Sequence, residues 1–297
     1  MSSVMSPKVC PVCLEKGDPK FLRYYSSGKD VFSLYECLLC GVQFWVPFVN
    51  PGAAWYESQQ EYRLKNPAVY RGYHKVFLRR FSAFRQGTSL LDIGCGTGEF
   101  LNEVGKRGAE CWGVDSDSVD IGIAREAFGL KNIFAMKFED FFEKTDLPKF
   151  DIVTFFEVLE HLDNPREFVL NVRRILKPGG SIVMSTPYRE RMWADAYEWD
   201  LPPYHLSRWN ERSIANLFKK AGFEIGSVAY ADEYIHFSEL FFQFRRSIAA
   251  KMSPKSIGRF FERVIPVTPF AFVLWLLASL LRRKNGVMVI ELRERKP

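Results

Sequence analysis

The sequence has few histidines, few cysteines and no concentrated block of positive charge. It contains four histidines and six cysteines in 297 residues, with a net charge of +6. So few histidines leave few side chains that titrate near neutral pH and can act as a base. The lack of a dense basic face argues against a protein that follows a nucleic-acid backbone. A charge this mild favours an anionic partner only weakly and serves solubility equally well.

The start of the chain carries no apolar h-region of the kind found in a secretory signal. Residues Met1 to Lys8 are mostly small or polar. We therefore expect a cytoplasmic location, where cysteines stay reduced and serve as thiols or metal ligands instead of disulfides. The apolar fraction of 47% gives ample material for a globular core, so disorder is not expected.

Four of the six cysteines form two CxxC pairs near the N-terminus: Cys10 with Cys13, and Cys37 with Cys40. Two residues between thiolates let one tight turn present both sulfurs to a tetrahedral ion, which predicts a zinc site. The alternating segment between the pairs predicts a β-hairpin, so a zinc ribbon is expected over residues 1–50. Four thiolates close the coordination sphere, and we expect a structural role ahead of substrate or partner recognition.

From residue 89 onward, short apolar strands alternate with amphipathic helices. This alternation is typical of a parallel sheet covered by helices on both faces. Asn164 before Pro165 predicts the start of one helix, and Asn210 caps a second helix that Gly222 ends. The predicted strands are 89–93, 110–115, 132–136, 150–156, 180–186, 224–231 and 286–293. The expected fold class is α/β, with a doubly wound, mostly parallel seven-stranded sheet.

A glycine-rich turn follows the first of these strands, in the run LLDIGCGTGEF. Glycines there let the backbone turn sharply and approach a ligand without Cβ clashes. The second strand ends at Asp115, about 20 residues beyond the glycines, where a carboxylate can accept both hydroxyls of a ribose. The pattern predicts a nucleoside-binding site and by itself leaves NAD open as the ligand.

Four motifs of the chain resemble the class I S-adenosylmethionine-dependent methyltransferases: LLDIGCGTGEF, GVDSD, FFEVLEHL and LKPGGSIVMSTP. The acid before the glycines is not typical of dinucleotide enzymes, so the resemblance implies S-adenosylmethionine as the cofactor. The whole chain is also similar to bacterial methyltransferases of sugars, nucleotide-linked sugars and lipopolysaccharide that carry an N-terminal CxxC…CxxCG module.

The resemblance further implies which residues contact the cofactor. They are Asp92, Gly94, Cys95, Gly96 and Gly98 along the methionine and ribose, Asp115 and Ser116 at the ribose hydroxyls, Phe138 and Glu139 at the adenine, and Glu157 near the methionine end.

Two of the four histidines follow strands of the predicted sheet. His161 comes after the fourth strand and His205 after the fifth, both at the carboxyl edge where doubly wound sheets bind ligands. Methyl transfer to oxygen usually needs a base, and a histidine near its ordinary pKa can take the hydroxyl proton. We expect His205 as the base, with His161 as the second candidate and more suited to positioning its neighbours. The alternative for both is a capping or packing histidine.

Three functions are compatible with these patterns. The favoured one is methyl transfer to a hydroxyl of a small molecule, such as a sugar or a lipid- or nucleotide-linked glycan. An RNA acceptor is an alternative, although neither an N/D-P-P-Y segment nor a Pro-Cys pair follows the fourth strand. A non-catalytic zinc-containing scaffold is the third, and the intact acid and glycine turn argue against it.

The domain organisation places a ribbon at 1–50, a helical linker at 51–87 and the methyltransferase domain at 88–297. An apolar helical insertion at about 233–284 separates the last two strands. Its apolar run would form a helix about 18 Å long, short of a roughly 30 Å hydrocarbon core, so a transmembrane span is rejected. A lid or dimer helix is preferred, with peripheral membrane contact through 264–284 as the alternative. The sequence determines neither the oligomeric state nor the acceptor.

Overall fold

The structure is a computed structural model of the chain. The residues it describes are 7–27, 29–52, 55, 71–143, 147–191, 194, 200–231 and 286–295. Most of the predicted linker and the whole predicted insertion at 233–284, including 264–284, lie outside these residues. Within the described part of the chain, no helix is long and apolar enough to cross a bilayer.

The described residues form eleven strands. In chain order they are β1 (Lys20–Ser27), β2 (Asp30–Glu36), β3 (Gln43–Val46), β4 (Ser89–Ile93), β5 (Glu110–Asp115), β6 (Asn132–Ala135), β7 (Phe150–Phe156), β8 (Leu176–Pro187), β9 (Ser207–Arg208), β10 (Phe223–Ala231) and β11 (Val287–Glu294). The helices among them are α1 (Gly72–Arg80), α2 (Glu99–Gly105), α3 (Ser118–Phe128), α4 (Phe138–Phe142), α5 (Pro165–Ile175) and α6 (Glu211–Lys220), with a 3₁₀ turn at Leu159–His161.

Seven strands form the central sheet, in the order β10-β11-β8-β7-β4-β5-β6. Neighbours among β4 to β8 pair parallel, and β11 is antiparallel to both β8 and β10. The prediction of a doubly wound, mostly parallel sheet is confirmed. The chain leaves β4 toward β5 on one side and returns to β7 on the other. In such sheets the carboxyl ends of the strands at this reversal open a crevice that binds ligands.

Helices cover both faces of the central sheet. Successive residues of a strand point to opposite faces, so neighbouring residues pack against different helices. Leu91 packs in one core cluster with α5 and α6, whereas Leu90 packs in a second cluster with α1, α2 and α3. Strand β8 begins earlier than predicted, since α5 ends at Ile175 and Leu176 already pairs with Phe150. A sheet buried on both faces produces the near-continuous apolar strands seen in the sequence.

Two asparagines behave differently at the helix starts predicted for them. Asn210 caps α6, and its side chain accepts a hydrogen bond from Ser213 N at 3.0 Å. Asn164 occupies the position before α5 but makes no side-chain capping bond. Its side-chain amide instead donates to the Glu167 carboxylate. The predicted position of the helix start is therefore correct, but Asn164 does not cap the helix with its side chain.

The N-terminal strands form a second sheet, which is joined to the domain of the central sheet. Its order is β1-β2-β3-β9, and β9 comes from the segment just after His205. Arg189, with a side chain only 11% exposed, pairs with Glu36 at 2.9 Å and also donates to Gly41 O. Asn216 on α6 donates to Cys40 O at 3.1 Å. These contacts and a shared apolar cluster hold the N-terminal sheet against α6 and the carboxyl end of β8.

We expect Phe218→Ala to lower the free energy of unfolding by about 3–5 kcal/mol. Phe218 is fully buried on α6, with ring centroids 6.5 Å from Phe155 and 6.4 Å from Phe223. Equilibrium denaturation in urea measures the change. The control is Phe21→Ala, because Phe21 is 42% exposed and its loss should change stability by less than about 1 kcal/mol. Equal effects of the two variants would contradict the packing described.

Candidate active site

The predicted glycine turn lies at the carboxyl end of β4, at the reversal of strand order. Gly94, Gly96 and Gly98 have φ angles of 77°, 51° and 81°, in the left-handed region that favours glycine. A Cβ at Gly94 would lie 2.8 Å from Val158 Cγ2, and one at Gly98 would lie 2.8 Å from the Ala124 Cβ. The turn therefore packs directly against the segment after β7 and against α3, which leaves no room for larger residues.

A cleft opens beside this turn, with about 550 Å³ of empty space that is partly continuous with solvent. Its lining includes the predicted residues Asp92, Gly94, Cys95 and Gly96, together with Thr97, Glu99, Phe100 and Phe156. Three further lining residues, Arg71, Tyr73 and His74, come from the start of α1.

The Asp92 carboxyl is buried at the bottom of the cleft, with 3% of the residue exposed. Its Oδ1 accepts a hydrogen bond from Thr154 Oγ1 at 2.6 Å. Burial raises the pKa of Asp92 to about 8; the Thr154 hydrogen bond opposes the shift and the nearby Asp115 charge adds to it. A cationic ligand group beside this carboxyl would favour its ionised form.

The Asp115 carboxylate supports the glycine turn from the end of β5. Its Oδ2 accepts a hydrogen bond from Gly96 N at 2.9 Å, and its Oδ1 accepts one from Asp117 N at 2.9 Å. Each carboxylate oxygen has a second lone pair, so these bonds do not use up its capacity as an acceptor. Ser116 lies beside it and is exposed. Contact of Asp115 and Ser116 with a ribose stays a prediction.

The remaining predicted cofactor residues do not line the cleft. Phe138 opens α4 and is buried in the core, with its ring 5.1 Å from that of Phe168. Glu139 is exposed on the same helix. Glu157 has a φ of 55°, and its Oε1 accepts a hydrogen bond from Ser185 Oγ at 2.9 Å. Gly98 is the residue that precedes the first turn of α2, at its N-cap position. Their contacts with the cofactor stay predictions.

Sequence reasoning missed the contribution of α1, which it treated as part of a linker. The His74 ring stacks on Phe100 at 4.9 Å, and Arg71 N donates to His74 Nδ1 at 3.3 Å. Burial lowers the pKa of His74 to about 3, with the Arg71 charge acting in the same direction. Helical spacing of aromatics identifies a helix but not which of its polar side chains meets a ligand.

A second group of polar side chains lies after β7 and before β9. Glu160 and His161 belong to the 3₁₀ turn, and His205 precedes β9. One ligand atom from each of the three lies within 4.8 Å of the others, and the two imidazole rings are 4.7 Å apart. The structure thus brings together the two histidines predicted from sequence, along with an acid that was not predicted. We refer to these three residues as the EHH cluster.

Backbone and carboxylate groups orient both imidazoles of the EHH cluster. His161 Nδ1 lies 2.7 Å from the carbonyl oxygen of Tyr204, and a carbonyl accepts, so Nδ1 carries the proton. His205 Nδ1 lies 3.4 Å from Asp200 Oδ1, and Asp200 also pairs with Arg191. Burial lowers the pKa of His161 to about 3, and the neighbouring His205 adds to the effect. His161 is therefore neutral at physiological pH.

Glu160 is buried with 1% of the residue exposed. Among the described residues, its carboxylate makes no hydrogen bond of good geometry, although the Thr186 hydroxyl lies beside it. Burial raises the pKa of Glu160 to about 7, although His205 opposes that shift. A buried acid in this state is costly unless something else satisfies it.

The four N-terminal cysteines converge on one point. Their sulfurs all lie within 4.8 Å of one another, with Cys10 Sγ 3.9 Å from Cys40 Sγ and Cys13 Sγ 3.8 Å from Cys37 Sγ. In each CxxC pair the second cysteine's backbone N–H donates to the first sulfur at 3.5 Å. The predicted pairing of two knuckles is therefore present in the geometry, and all four residues are buried.

Comparison with known proteins identifies the family. Residues 58–228 match the family model described as a methyltransferase domain. The chain belongs to this family. Its fold, glycine turn and acids define the class as a class I S-adenosylmethionine-dependent methyltransferase domain.

Curated relatives match the central part of the chain. The chain is 36% identical over 104 residues to the mitochondrial ubiquinone biosynthesis O-methyltransferase of Schizosaccharomyces pombe, covering 34% of this chain and 38% of that protein. It is 28% identical over 154 residues to a Mycolicibacterium smegmatis protein named "Probable S-adenosylmethionine-dependent methyltransferase", covering 51% of this chain and 58% of that one. The matched region thus spans less than two thirds of the length of these relatives.

Solved structures share the fold at low sequence identity. A chain of the Haloferax volcanii complex between the Trm112 methyltransferase activator and a methyltransferase has a TM-score of 0.54 and 17% identity, over 82% of this chain and 97% of that one. A methyltransferase structure from Bacillus halodurans has a TM-score of 0.50 and 17% identity, over 74% and 98%. These likenesses concern the fold alone.

We expect Asp92→Asn to weaken S-adenosylmethionine binding by about 10- to 100-fold, as for the loss of one charge-assisted hydrogen bond of about 1.5–3 kcal/mol. Calorimetric titration of the purified chain measures the affinity. Glu126→Gln, which changes an exposed acid at the far end of α3, serves as the control and should leave affinity unchanged. Unaltered binding by Asp92→Asn would remove Asp92 from the cofactor site.

The same variant should stabilise the cofactor-free protein as the pH rises. The folded-state pKa of Asp92 is raised from 3.8 to about 8, so the unfolded chain releases this proton at lower pH than the folded protein. Stability attributable to Asp92 therefore falls between about pH 4 and pH 8. The melting temperature of Asp92→Asn minus that of wild type should grow over this range, and a constant difference would contradict the raised pKa.

Proposed function

We propose that the protein transfers the methyl group of S-adenosylmethionine to a hydroxyl of a small molecule, namely a sugar or a lipid- or nucleotide-linked glycan. The observation that carries this proposal is the position of the EHH cluster next to the glycine turn. Val158 packs against Gly94, only two residues before Glu160. A polar cluster beside the cofactor cleft can receive an acceptor, and curated relatives of the chain are named O-methyltransferases.

The chemistry requires alignment and removal of a proton. The acceptor oxygen attacks the methyl carbon while the carbon–sulfur bond breaks in line, so the enzyme mainly orients the two groups and excludes water. The hydroxyl proton must leave, and the EHH cluster offers the polar groups for that step. Of the two histidines, His205 suits proton transfer better, because the lowered pKa of His161 makes it a weak base.

Tyr188 and Arg189 directly follow β8 and could line an acceptor site, but both side chains are engaged within the protein. Arg189 holds the N-terminal sheet through Glu36 and Gly41, and the Tyr188 hydroxyl donates to Glu190 at 2.8 Å. Trp193, the third aromatic or basic residue of that stretch, lies outside the described residues. We therefore place the acceptor at the EHH cluster and not on this stretch.

The acceptor can be found by incubating the enzyme with methyl-labelled S-adenosylmethionine and a cell extract, then searching by mass spectrometry for products that gain one labelled methyl. We expect labelled glycolipids or sugar nucleotides, and nuclease treatment of the extract should leave the yield unchanged. Label that appears in RNA and disappears after nuclease would replace the glycan proposal with the RNA alternative. No affinity for S-adenosylmethionine or its demethylated product would overturn both.

His205→Ala should lower kcat by at least about 100-fold, in the range typical of losing a group that handles a proton. Its affinity for S-adenosylmethionine should stay within twofold of wild type, since His205 does not line the cofactor cleft. Steady-state kinetics with the identified acceptor measure the first quantity and calorimetry the second. Glu224→Gln, exposed on β10, is the control. Unchanged turnover in His205→Ala would exclude it from the reaction.

We also propose that the four cysteines bind a structural zinc ion. A tetrahedral site with zinc–sulfur bonds of about 2.3 Å requires sulfurs about 3.8 Å apart, and the two pairs of sulfurs are separated by 3.8 and 3.9 Å. All four coordination positions would be filled by thiolates, so the ion would contribute folding energy and no open position for substrate.

Cys37→Ser should lower the melting temperature by more than about 10 °C, because loss of a zinc ligand removes several kcal/mol of stability. Elemental analysis should show one zinc fewer per chain than in wild type. Cys111→Ser is the matched control, since Cys111 lies outside the cluster and a serine can keep its hydrogen bond to Leu101 O. Equal zinc content in the two variants would argue against the site.

A further inference from the structure

Arg189 connects the domain of the central sheet to the four-cysteine module, which comprises β1 to β3 and the two CxxC pairs. Arg189 lies two residues after β8, and its side chain, only 11% exposed, pairs with Glu36 at 2.9 Å and donates to the carbonyl oxygen of Gly41. Glu36 directly precedes the second CxxC pair and Gly41 directly follows it. A guanidinium presents several N–H donors in a fixed arrangement, so one side chain engages both acceptors. Arg189 thus holds the second pair from both ends.

The turn that carries Arg189 also leads to His205. Two residues further on, Arg191 pairs with the Asp200 carboxylate, and both of these residues are buried. The other oxygen of Asp200 lies 3.4 Å from His205 Nδ1. The turn is closed by a backbone hydrogen bond from Arg191 N to Tyr188 O at 3.1 Å. A displacement of this turn would therefore move the carboxylate that lies beside the His205 ring.

The module reaches the same histidine by a second route. Strand β3 pairs with β9, which begins two residues after His205, and Trp45 N donates to Leu206 O at 2.9 Å. The two routes meet, because Arg189 N donates to the carbonyl oxygen of Trp209, one residue after β9, at 2.9 Å. His205 is thus held on both sides by segments that are bonded to the module.

The cofactor cleft is built from other elements. Its lining comes from the start of α1, the end of β4, the glycine turn, the start of α2 and the last residue of β7. Among the described residues, the module contributes none to this lining. The cleft and the His205 side of the EHH cluster therefore have different supports, and a change in the module can alter one while the other stays intact.

We propose that Arg189 is a positioning residue that couples the four-cysteine module to the EHH cluster, so that loss of the module's metal lowers methyl transfer without weakening cofactor binding. The inference rests on the proposed methyl transfer to a hydroxyl and on the proposed zinc site. A closed thiolate site contributes folding energy, so removal of the ion loosens the segment that Arg189 holds. The turn and β9 then lose their fixed support, and His205 loses the orientation that proton transfer needs.

Removal of zinc from the wild-type chain tests the coupling. Zinc is withdrawn by a strong chelator in the presence of a thiol reductant, and elemental analysis verifies the loss. We expect backbone hydrogen exchange in residues 200–209 to rise at least about 10-fold. Exchange in α3, which packs in the other core cluster, should stay within about twofold, and so should the calorimetric affinity for S-adenosylmethionine. The kcat with the identified acceptor should fall at least about 10-fold and recover when zinc is restored.

Arg189→Gln separates this coupling from general stability. It should lower kcat about 10-fold and weaken zinc binding about 10-fold in competition with a chelator, with affinity for S-adenosylmethionine unchanged. The matched control is Asn216→Ala, which removes the 3.1 Å hydrogen bond from α6 to Cys40 O in the same CxxC pair. Asn216 belongs to neither route to His205, so this control should leave kcat within about twofold of wild type, whatever it does to zinc binding.

Each outcome supports or overturns the coupling. Unchanged exchange in residues 200–209 after verified zinc removal overturns it, and so does full turnover by zinc-free protein or a folded chain that binds no zinc. Loss of S-adenosylmethionine binding on zinc removal also overturns it, because the module would then support the whole fold. Equal kcat in Arg189→Gln and Asn216→Ala removes Arg189 from the coupling. Raised exchange with no methylated product in any extract supports the coupling and instead counts against the proposed function.

Discussion

The backbone of Leu206 makes the two hydrogen bonds on which the candidate site depends. Its N–H donates to Glu160 O at 2.8 Å, and its carbonyl accepts from Trp45 N at 2.9 Å. One residue thus connects the segment after β7, the segment that carries His205 and the N-terminal sheet. The pairing of β3 with β9 extends this link by two further residue pairs. A module that sequence reasoning treats as separate therefore belongs structurally to the site.

This link gives the four-cysteine module a role without any contact to substrate. His205 lies immediately before Leu206, so its position depends on the sheet that holds β9. A closed thiolate site stabilises a fold and does no chemistry. The sheet that carries the proposed zinc site reaches the EHH cluster through β3 and β9, and strands of this kind support side chains rigidly.

The sequence predicted those features that follow from local patterns. Strand positions, the glycine turn and the capping by Asn210 depend on residue type and spacing, and each is present. Both histidines after strands were also predicted, because parallel strands end at the same edge of a sheet. The acid between them was not, since Glu160 within the FFEVLEHL motif looks like any polar residue of a turn. Its significance lies in its burial beside the two histidines, which only the packing of distant segments produces.

The dependence on packing between distant segments also explains why the sequence did not predict the environments of α1 and Phe138. Aromatic spacing near Phe77 predicts a helix, but whether His74 faces solvent or a cleft depends on which sheet face receives that helix. Phe138 opens α4 with a large apolar ring that can contact either a ligand or the core, and in the structure it packs on Phe168. Residue type alone does not distinguish these environments.

The antiparallel pairing of β10 and β11 has a consequence for the connection between these two strands. Ala231 pairs with Val287, and Val287 pairs in turn with Pro187 of β8, so the segment between β10 and β11 leaves and rejoins the sheet at adjacent points. Changes in the length of a connection between two fixed neighbours add little entropic penalty. The length of the connection between β10 and β11 can thus vary without disturbing the pairing of β8, β10 and β11.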